Sequence, residues 1–271
     1  MAFEAEKQKY DQDGFVIVRQ LLEPDDLADL RENLDRYIRE VVPTLPDSAA
    51  FYHDRSRPET LKQMQHMGVD PYFKAYARHA RWKALAEALI GEPAEASEGE
   101  WFNKPPGTNH VTPPHQDNYY FCLRPANVLT IWMALDPVDA ENGCLRYVTG
   151  SHLRGIRSHS KSKILGFSQG ISDYTSEDFT REVAVPLQPG DVVAHHGDTI
   201  HRADANISSD RHRRSFAMVF KGVSCRRDED AFALPRSRRR GRPRPRRRAS
   251  ARCRCGGGAR PPRRGDRSGP G

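Results

Sequence analysis

The spacing of apolar and polar positions changes character along the chain near residue 94. Over residues 24–42 apolar residues recur every three or four positions, the spacing of an amphipathic helix, and proline with acidic residues precedes them. Residues 70–90 show a second helical pattern, which ends at a glycine followed by a glutamate and a proline. The sequence therefore predicts N-terminal helices over about residues 24–90, with residues 61–67 fitting either a strand or a helical turn.

Short strands separated by turn residues are predicted from about residue 94 to residue 222. Residues 115–122 read as one of them, and residues 128–135 as the next. In the second, Thr130 and Trp132 share one face and three aliphatic or sulphur-containing residues share the other. This suits a barrel wall around a polar ligand, and a sandwich strand buried on both sides explains it equally well. Short strands with Gly and Pro turns favour a sandwich or barrel over alternating strands and helices.

Candidate metal chemistry begins at the first of these strands. His115 and Asp117 are two positions apart, so in an extended chain both side chains project from one face and can reach one ion. One more histidine would complete the 2-His-1-carboxylate triad of non-haem iron oxygenases, which leaves positions open for co-substrate and oxygen. His195, His196 and His201 compete for that role, and spacing alone does not choose among them.

The charge of the chain is unevenly distributed. The formal net charge is +7, but residues 235–271 contain 15 Arg and one Asp, which leaves −7 on residues 1–234. Residues 1–234 therefore lack the excess of positive charge that is typical of nucleic-acid-binding domains. The tail has no aromatic residue and no aliphatic larger than Ala, so it is expected to be disordered. A basic arm that binds nucleic acid is one explanation, and a G/C-rich gene read out of frame is the better one.

Targeting and redox features point to a cytoplasmic protein. The first residues are charged rather than apolar, and no run approaches the roughly 20 apolar residues of a membrane span. The five cysteines show no spacing typical of a disulfide framework or a zinc site. We expect reduced thiols, no membrane partner and a cytoplasmic location.

A set of short motifs occurs in a fixed order between residues 10 and 222. In chain order they are Asp13-Gly14-Phe15-Val16, Asn103-Lys104-Pro105-Pro106-Gly107, His115-Gln116-Asp117, Thr130-Ile131-Trp132-Met133-Ala134-Leu135, Glu141-Asn142-Gly143-Cys144-Leu145, Gly150-Ser151-His152, Pro189-Gly190-Asp191, and His201 with Asn206, Ser208 and Arg213. Any one of them is weak evidence, but the ordered set resembles the phytanoyl-CoA dioxygenase family of Fe(II)/2-oxoglutarate enzymes.

The resemblance implies a double-stranded β-helix, a cupin-like jelly roll, in which His115, Asp117 and His201 hold iron. It also implies that Arg213 pairs with the far carboxylate of 2-oxoglutarate, since a guanidinium fork suits a dicarboxylate. Arg213 is preferred to Arg211 and Arg214 because it opens the last strand on the face that carries small residues. Further residues that the resemblance places near the co-substrate or substrate are Thr130, Trp132, Ser208, Lys104 and Asn103.

These observations predict a mainly β protein with flanking helices. Residues 1–234 would form the dioxygenase domain, with helices over about 24–90 and a jelly roll over about 94–222, and residues 235–271 a disordered tail. The implied reaction is hydroxylation of a C–H bond in a small molecule, using Fe(II), O2 and 2-oxoglutarate and releasing succinate and CO2. The alternative is a catalytically silent jelly-roll binding protein whose basic tail binds nucleic acid.

Overall fold

The computed structural model describes residues 2–161 and 169–234. Within them the α-helices are α1 (Glu4–Asp13), α2 (Pro24–Arg36), α3 (Pro71–Tyr76), α4 (Ala80–Ile90), α5 (Asn118–Phe121), α6 (Ser176–Thr180) and α7 (Glu229–Ala233). The strands are β1 (Phe15–Val18), β2 (Ala50–Tyr52), β3 (Leu61–Met64), β4 (Ala94–Ala96), β5 (Glu100–Lys104), β6 (Thr112–His115), β7 (Leu123–Arg124), β8 (Val128–Ala134), β9 (Leu145–Val148), β10 (His159–Lys161), β11 (Gln169–Ile171), β12 (Glu182–Val185), β13 (Val192–His196), β14 (His201–Ala203), β15 (Arg213–Gly222) and β16 (Arg226–Arg227).

Two antiparallel sheets organise the fold. The larger has eight strands in the order β1-β13-β8-β15-β5-β3-β2, with β4 paired to β15. The smaller has four strands in the order β12-β9-β14-β6. Strands distant in sequence are neighbours in both sheets. This arrangement confirms the double-stranded β-helix that the resemblance implies.

The helices α2 and α4 cover one face of the larger sheet. Leu30 and Leu85 are fully buried in the same cluster as Ile131, Met133 and Met218 of the sheet. Burying a side chain of this kind contributes about 1.5–3 kcal/mol. The apolar residues at helical spacing in α2 and α4 are thus the ones that pack these helices against the larger sheet.

A second core fills the space between the two sheets. Phe15 and Trp132 of the larger sheet pack there with Tyr147 and Val185 of the smaller one. The rings of Phe15 and Tyr147 stack with centroids 4.6 Å apart. Because Trp132 faces this core while its neighbours face the helices, β8 is both a wall of the lumen and a strand buried on two sides.

The prediction of a strand over residues 115–122 is wrong after its first residue. β6 ends at His115, Asp117 has helical backbone angles, and α5 follows immediately. The side chain of Asn118 explains the turn, because it donates to the carbonyl of Leu123 and accepts from the backbone N–H of Leu123. Such local side-chain bonds compete with the pairing of a strand.

Three further elements complete the comparison with the sequence. The helix α1 had no amphipathic stripe to reveal it, and it has i,i+4 ion pairs, Lys7 with Asp11 and Lys9 with Asp13. The open choice at residues 61–67 is decided in favour of strand β3. The polar stretch 154–180, in which the sequence shows no regular pattern, contains β10, β11 and α6.

Candidate active site

Three side chains converge where β6 and β14 lie side by side. His115, Asp117 and His201 each offer a ligand atom, and these atoms all lie within 4.8 Å of one another. Oδ1 of Asp117 is 3.6 Å from Nε2 of His115 and 3.6 Å from Nε2 of His201. Two imidazoles and one carboxylate on one side of an ion are the ligand set of non-haem iron sites that keep positions open.

The register of the smaller sheet brings the two histidines together. His201 is the direct antiparallel partner of His115, and their ring centroids are 4.2 Å apart. Asp117 does not arrive by strand alternation, as the sequence analysis assumed, because the chain has already turned towards α5. The turn into α5, rather than the alternation of side chains along a strand, places the carboxylate of Asp117 between the two imidazole rings.

Both ring orientations are set by hydrogen bonds to the backbone. Nδ1 of His115 donates to the carbonyl of Pro113 at 2.8 Å, and Nδ1 of His201 donates to that of Thr199 at 3.0 Å. Each Nε2 is therefore the nitrogen with a lone pair for a metal. Burial lowers the pKa of both imidazoles, which favours the neutral form that a metal requires.

Asp117 is ionised in this environment. Burial opposes its negative charge, but His201, His195 and His115 outweigh burial and hold the pKa of the carboxyl below its usual range. Oδ2 also accepts hydrogen bonds from Oγ1 of Thr130 at 2.7 Å and from Nε2 of His195 at 3.1 Å. Thr130 therefore lies on the lumen side of β8, with its hydroxyl on the carboxylate.

The structure distinguishes among the three histidines near residue 200. His201 belongs to the ligand cluster and His195 contacts its carboxylate. His196 points elsewhere: Nδ1 accepts from the backbone of Asp198, and its ring lies near Tyr10. Geometry thus favours His201 as the second imidazole of the cluster.

The cluster opens into a cavity of about 610 Å³ between the two sheets. The sequence-predicted residues that line it are His115, Asp117, His201, Arg213, Thr130, Trp132, Lys104 and Asn103. Side chains of β5, β8, β13 and β15 form one wall, and those of β6, β9 and β14 the other. A pocket of this size and mixed polarity suits small molecules.

Arg213 is a buried cation with open hydrogen-bonding capacity. It is 4% exposed, Nη1 donates to Ser215, and Cζ lies 5.4 Å from the ring centroid of Trp132. Among the residues that the structure describes, no carboxylate pairs with it and Nε has no hydrogen-bond partner. Burial lowers the pKa of the guanidinium to about 10, so it is charged at neutral pH. By contrast, Arg211 pairs with Asp139 and Arg214 with Asp136.

The structure gives different surroundings to Lys104, Asn103 and Ser208, three of the residues that the resemblance places near the co-substrate or substrate. Lys104 lines the cavity beside Arg213, donates to two backbone carbonyls, and has its pKa lowered by burial to about 6. Asn103 reaches the lining too, but its amide donates to the carbonyl of Leu61. Ser208 is not among the lining residues, because its hydroxyl bonds to Asn206 within a loop.

Glu100 is a cavity residue that the sequence analysis missed. It lies on β5 on the same face as Lys104, four positions away. Burial raises the pKa of its carboxyl to about 7, and the charge of Asp117 adds to this effect. Counting alternate positions back from Lys104 would have identified it.

Within residues 2–161 and 169–234, no helix has both the length and the apolarity that are needed to cross a lipid bilayer.

Comparison with known proteins supports the reading of the site. The sequence profile of the family phytanoyl-CoA dioxygenase (PhyH) matches residues 10–215. The mouse protein "Phytanoyl-CoA dioxygenase, peroxisomal" is 26% identical over 235 residues, covering 82% of this chain and 69% of that protein. The Arabidopsis thaliana protein "Phytanoyl-CoA dioxygenase" is 30% identical over 154 residues, covering 56% of this chain and 53% of that protein.

Solved structures agree with this. EvdO2 from Micromonospora carbonacea var. aurantiaca, complexed with 2-oxoglutarate, is 27% identical with a TM-score of 0.67, over 86% of this chain and 95% of that one. The epimerase SnoN, in complex with Fe3+, α-ketoglutarate and nogalamycin RO, is 25% identical with a TM-score of 0.66, over 83% and 85%. The chain therefore belongs to the phytanoyl-CoA dioxygenase family and is a dioxygenase dependent on Fe(II), 2-oxoglutarate and O2.

Proposed function

We propose that His115, Asp117 and His201 hold the Fe(II), that Arg213 binds the far carboxylate of 2-oxoglutarate, and that the enzyme hydroxylates a C–H bond of a small molecule. The observation that carries the proposal is the metal-ligand cluster and an unpaired buried arginine in one cavity. The donor set fits a non-haem iron, and Arg213 has the open capacity that a dicarboxylate would satisfy.

The chain's own groups would orient the reactants. With Fe(II) bound, oxidative decarboxylation of 2-oxoglutarate to succinate and CO2 supplies the oxidant for the substrate. Nδ1 bonds fix the two imidazoles, and Arg213 with Trp132 would hold the far end of the co-substrate. Asp117 supplies the third ligand. A carboxylate at this position leaves no vacancy for a halide, which supports hydroxylation rather than halogenation.

Substrate would bind in the part of the cavity that the co-substrate leaves free. The lining offers polar groups, among them Glu98, Glu100 and Gln63, and apolar surface from Phe102, Tyr120 and Val219. Such a mixed lining suits a small molecule that carries both a polar group and an apolar body. Phytanoyl-CoA, which the names of the relatives give, is one member of the wider range that we propose to test.

The proposal also retains residues 1–234 as the enzyme domain and the cytoplasm as its location. The family profile ends at residue 215 and the last strand of the larger sheet at Gly222, so both lie within this domain. Among the described residues, Cys122, Cys144 and Cys225 form no disulfide.

The experiment that tests the proposal measures iron-dependent release of CO2 from labelled 2-oxoglutarate. His115→Ala, Asp117→Ala and His201→Ala should each lose turnover by about a hundredfold or more while remaining folded by circular dichroism. His196→Ala should retain turnover, because His196 faces away from the cluster. Full loss in His196→Ala with normal turnover in His201→Ala would contradict the ligand assignment, and no CO2 release by the unmodified protein would favour the silent binding protein.

A further inference from the structure

The two oxygens of Asp117 have different surroundings. Oδ1 lies 3.6 Å from Nε2 of both histidines of the cluster. Oδ2 instead accepts from Thr130 at 2.7 Å and from His195 at 3.1 Å. Only one of the two oxygens is therefore free to take a metal without losing hydrogen bonds.

His195 is itself held by a second buried group. Nδ1 of His195 lies 3.0 Å from the hydroxyl of Tyr147, and both residues are at most 2% exposed. A carboxylate only accepts, so Nε2 of His195 carries the proton and Nδ1 accepts from the hydroxyl. The ring of Tyr147 stacks on Phe15 at 4.6 Å and lies 5.7 Å from the ring of His201. The chain of bonds from Tyr147 through His195 to Asp117 is thus fixed by packing.

The adjacent histidine shows that this arrangement is specific. His196 occupies the next position of β13, is also buried, and bonds to the backbone N–H of Asp198. A histidine that merely filled the core at position 195 would need one partner for each nitrogen, and backbone groups would serve. Instead, both nitrogens of His195 bond to side chains: Nε2 to the ligand Asp117 and Nδ1 to the hydroxyl of Tyr147.

We propose that His195, oriented by Tyr147, is a positioning residue that keeps Asp117 a one-oxygen ligand. The inference rests on the proposed iron site. A carboxylate can bind a metal through one oxygen or both, and binding through both would occupy a position that 2-oxoglutarate or O2 needs. Two charge-assisted hydrogen bonds to Oδ2 oppose that second contact.

The test separates this role from a general structural one. Fe(II) and 2-oxoglutarate affinities are measured anaerobically for the purified protein, with the charge-transfer absorption of the iron–2-oxoglutarate complex as the readout. In His195→Phe we expect Fe(II) affinity to be kept or increased and 2-oxoglutarate affinity to fall by about tenfold or more. A mere packing defect would weaken both.

Conservative variants provide the controls. His195→Gln places an amide N–H near the position of Nε2 and should restore 2-oxoglutarate binding close to the unmodified level. Tyr147→Phe removes only a hydroxyl and should give a smaller loss in the same direction, whereas Tyr174→Phe, which loses a hydroxyl bonded to Glu182 away from the cavity, should give none. Equal 2-oxoglutarate affinity in His195→Phe, His195→Gln and the unmodified protein would overturn the inference. Absence of the absorption band in the unmodified protein would instead overturn the proposed site.

Discussion

Arg213 carries a charge into the interior without a carboxylate to balance it among the described residues. Its neighbours are Trp132, Ser215 and the amine of Lys104, whose own pKa is lowered to about 6 by burial and then by Arg213. Burying an unpaired ion is costly, so such a group persists where a ligand completes it. Lys104, largely neutral at pH 7, would regain its proton beside a bound dicarboxylate.

Replacing Arg213 by alanine tests its role in co-substrate binding. Losing a buried charge-paired contact typically costs about 2–5 kcal/mol, so the 2-oxoglutarate concentration for half-maximal turnover should rise by roughly 30-fold or more. Fe(II) affinity should change little, since Arg213 is not in the ligand cluster. Arg211→Ala is the matched control, because its ion pairs lie in a loop. A defect in Arg211→Ala with none in Arg213→Ala would transfer the role.

The junction of α1 and β1 supports the strand pair that carries His201. Gly14 has φ +86°, and its carbonyl accepts from the hydroxyl of Thr199 and the backbone N–H of His196. A Cβ at Gly14 would lie 2.5 Å from Nδ1 of His152 and 2.5 Å from Oγ1 of Thr199. The turn before His201 is therefore built against a glycine that has no room for a side chain.

Alanine at Gly14 should destabilise the protein more than alanine at Gly91. Gly91 also closes a helix at φ +85°, but no described atom lies within 4 Å of the Cβ position. Both variants bear the left-handed strain of about 1–2 kcal/mol, and only Gly14→Ala adds crowding of about 1–3 kcal/mol. Urea unfolding measures the difference. Equal losses in the two variants would show that the packing at Thr199 relaxes without cost.

The hairpin of β10 and β11 should make stability depend on pH through His159. His159 is 4% exposed, stacks on Tyr119 at 3.8 Å, and accepts from the backbone N–H of Gln116. Burial lowers its pKa from 6.5 to about 4. Between these values the unfolded chain binds a proton that the folded chain does not, so stability falls as pH falls from 6.5 to 4. The shift corresponds to at most about 3 kcal/mol.

This is measured by urea unfolding of chelator-treated protein at pH values from 7 to 4.5. The free energy of unfolding should decrease with falling pH more steeply for the unmodified protein than for His159→Asn, which has no group to titrate at that position. Because His115 and His201 are present in both proteins, the difference between the two curves isolates His159. Parallel curves would contradict the prediction, because they would show that folding does not lower the pKa of His159.

The sequence could predict the N-terminal helices, a series of short strands and the two faces of the strand over residues 128–135, because helical spacing and alternation are local properties. It could not place Asp117, whose position depends on a turn that Asn118 makes with Leu123 and with Asp198, 80 positions away. It could not choose between His195 and His201 either. Their roles follow from strand pairing, which sets His201 opposite His115 and His195 opposite Thr130.

The Arg-rich tail, residues 235–271, lies outside the described residues, and its boundary remains a prediction. Removing it should leave the melting temperature and the iron-dependent release of CO2 unchanged, because a segment with no aromatic residue and no aliphatic larger than Ala buries too little apolar surface to repay its ordering. We also expect another reading frame of the gene to continue past Phe232 with ordinary domain composition. Loss of specific nucleic-acid binding on truncation, with no other open frame, would establish the tail as a genuine arm.

The position of β15 has a consequence for how the chain is made. This strand is the last of the larger sheet in sequence, yet it lies at the sheet's centre and pairs with β8 on one side and β5 on the other. Until residues 213–222 have left the ribosome, β8 and β5 of the nascent chain each have an edge whose partner strand is missing. Such edges readily pair with other chains. Premature stops before residue 213 should consequently yield aggregates. A change of frame beyond residue 234 leaves β15 intact, so both edges are paired and the enzyme should stay soluble.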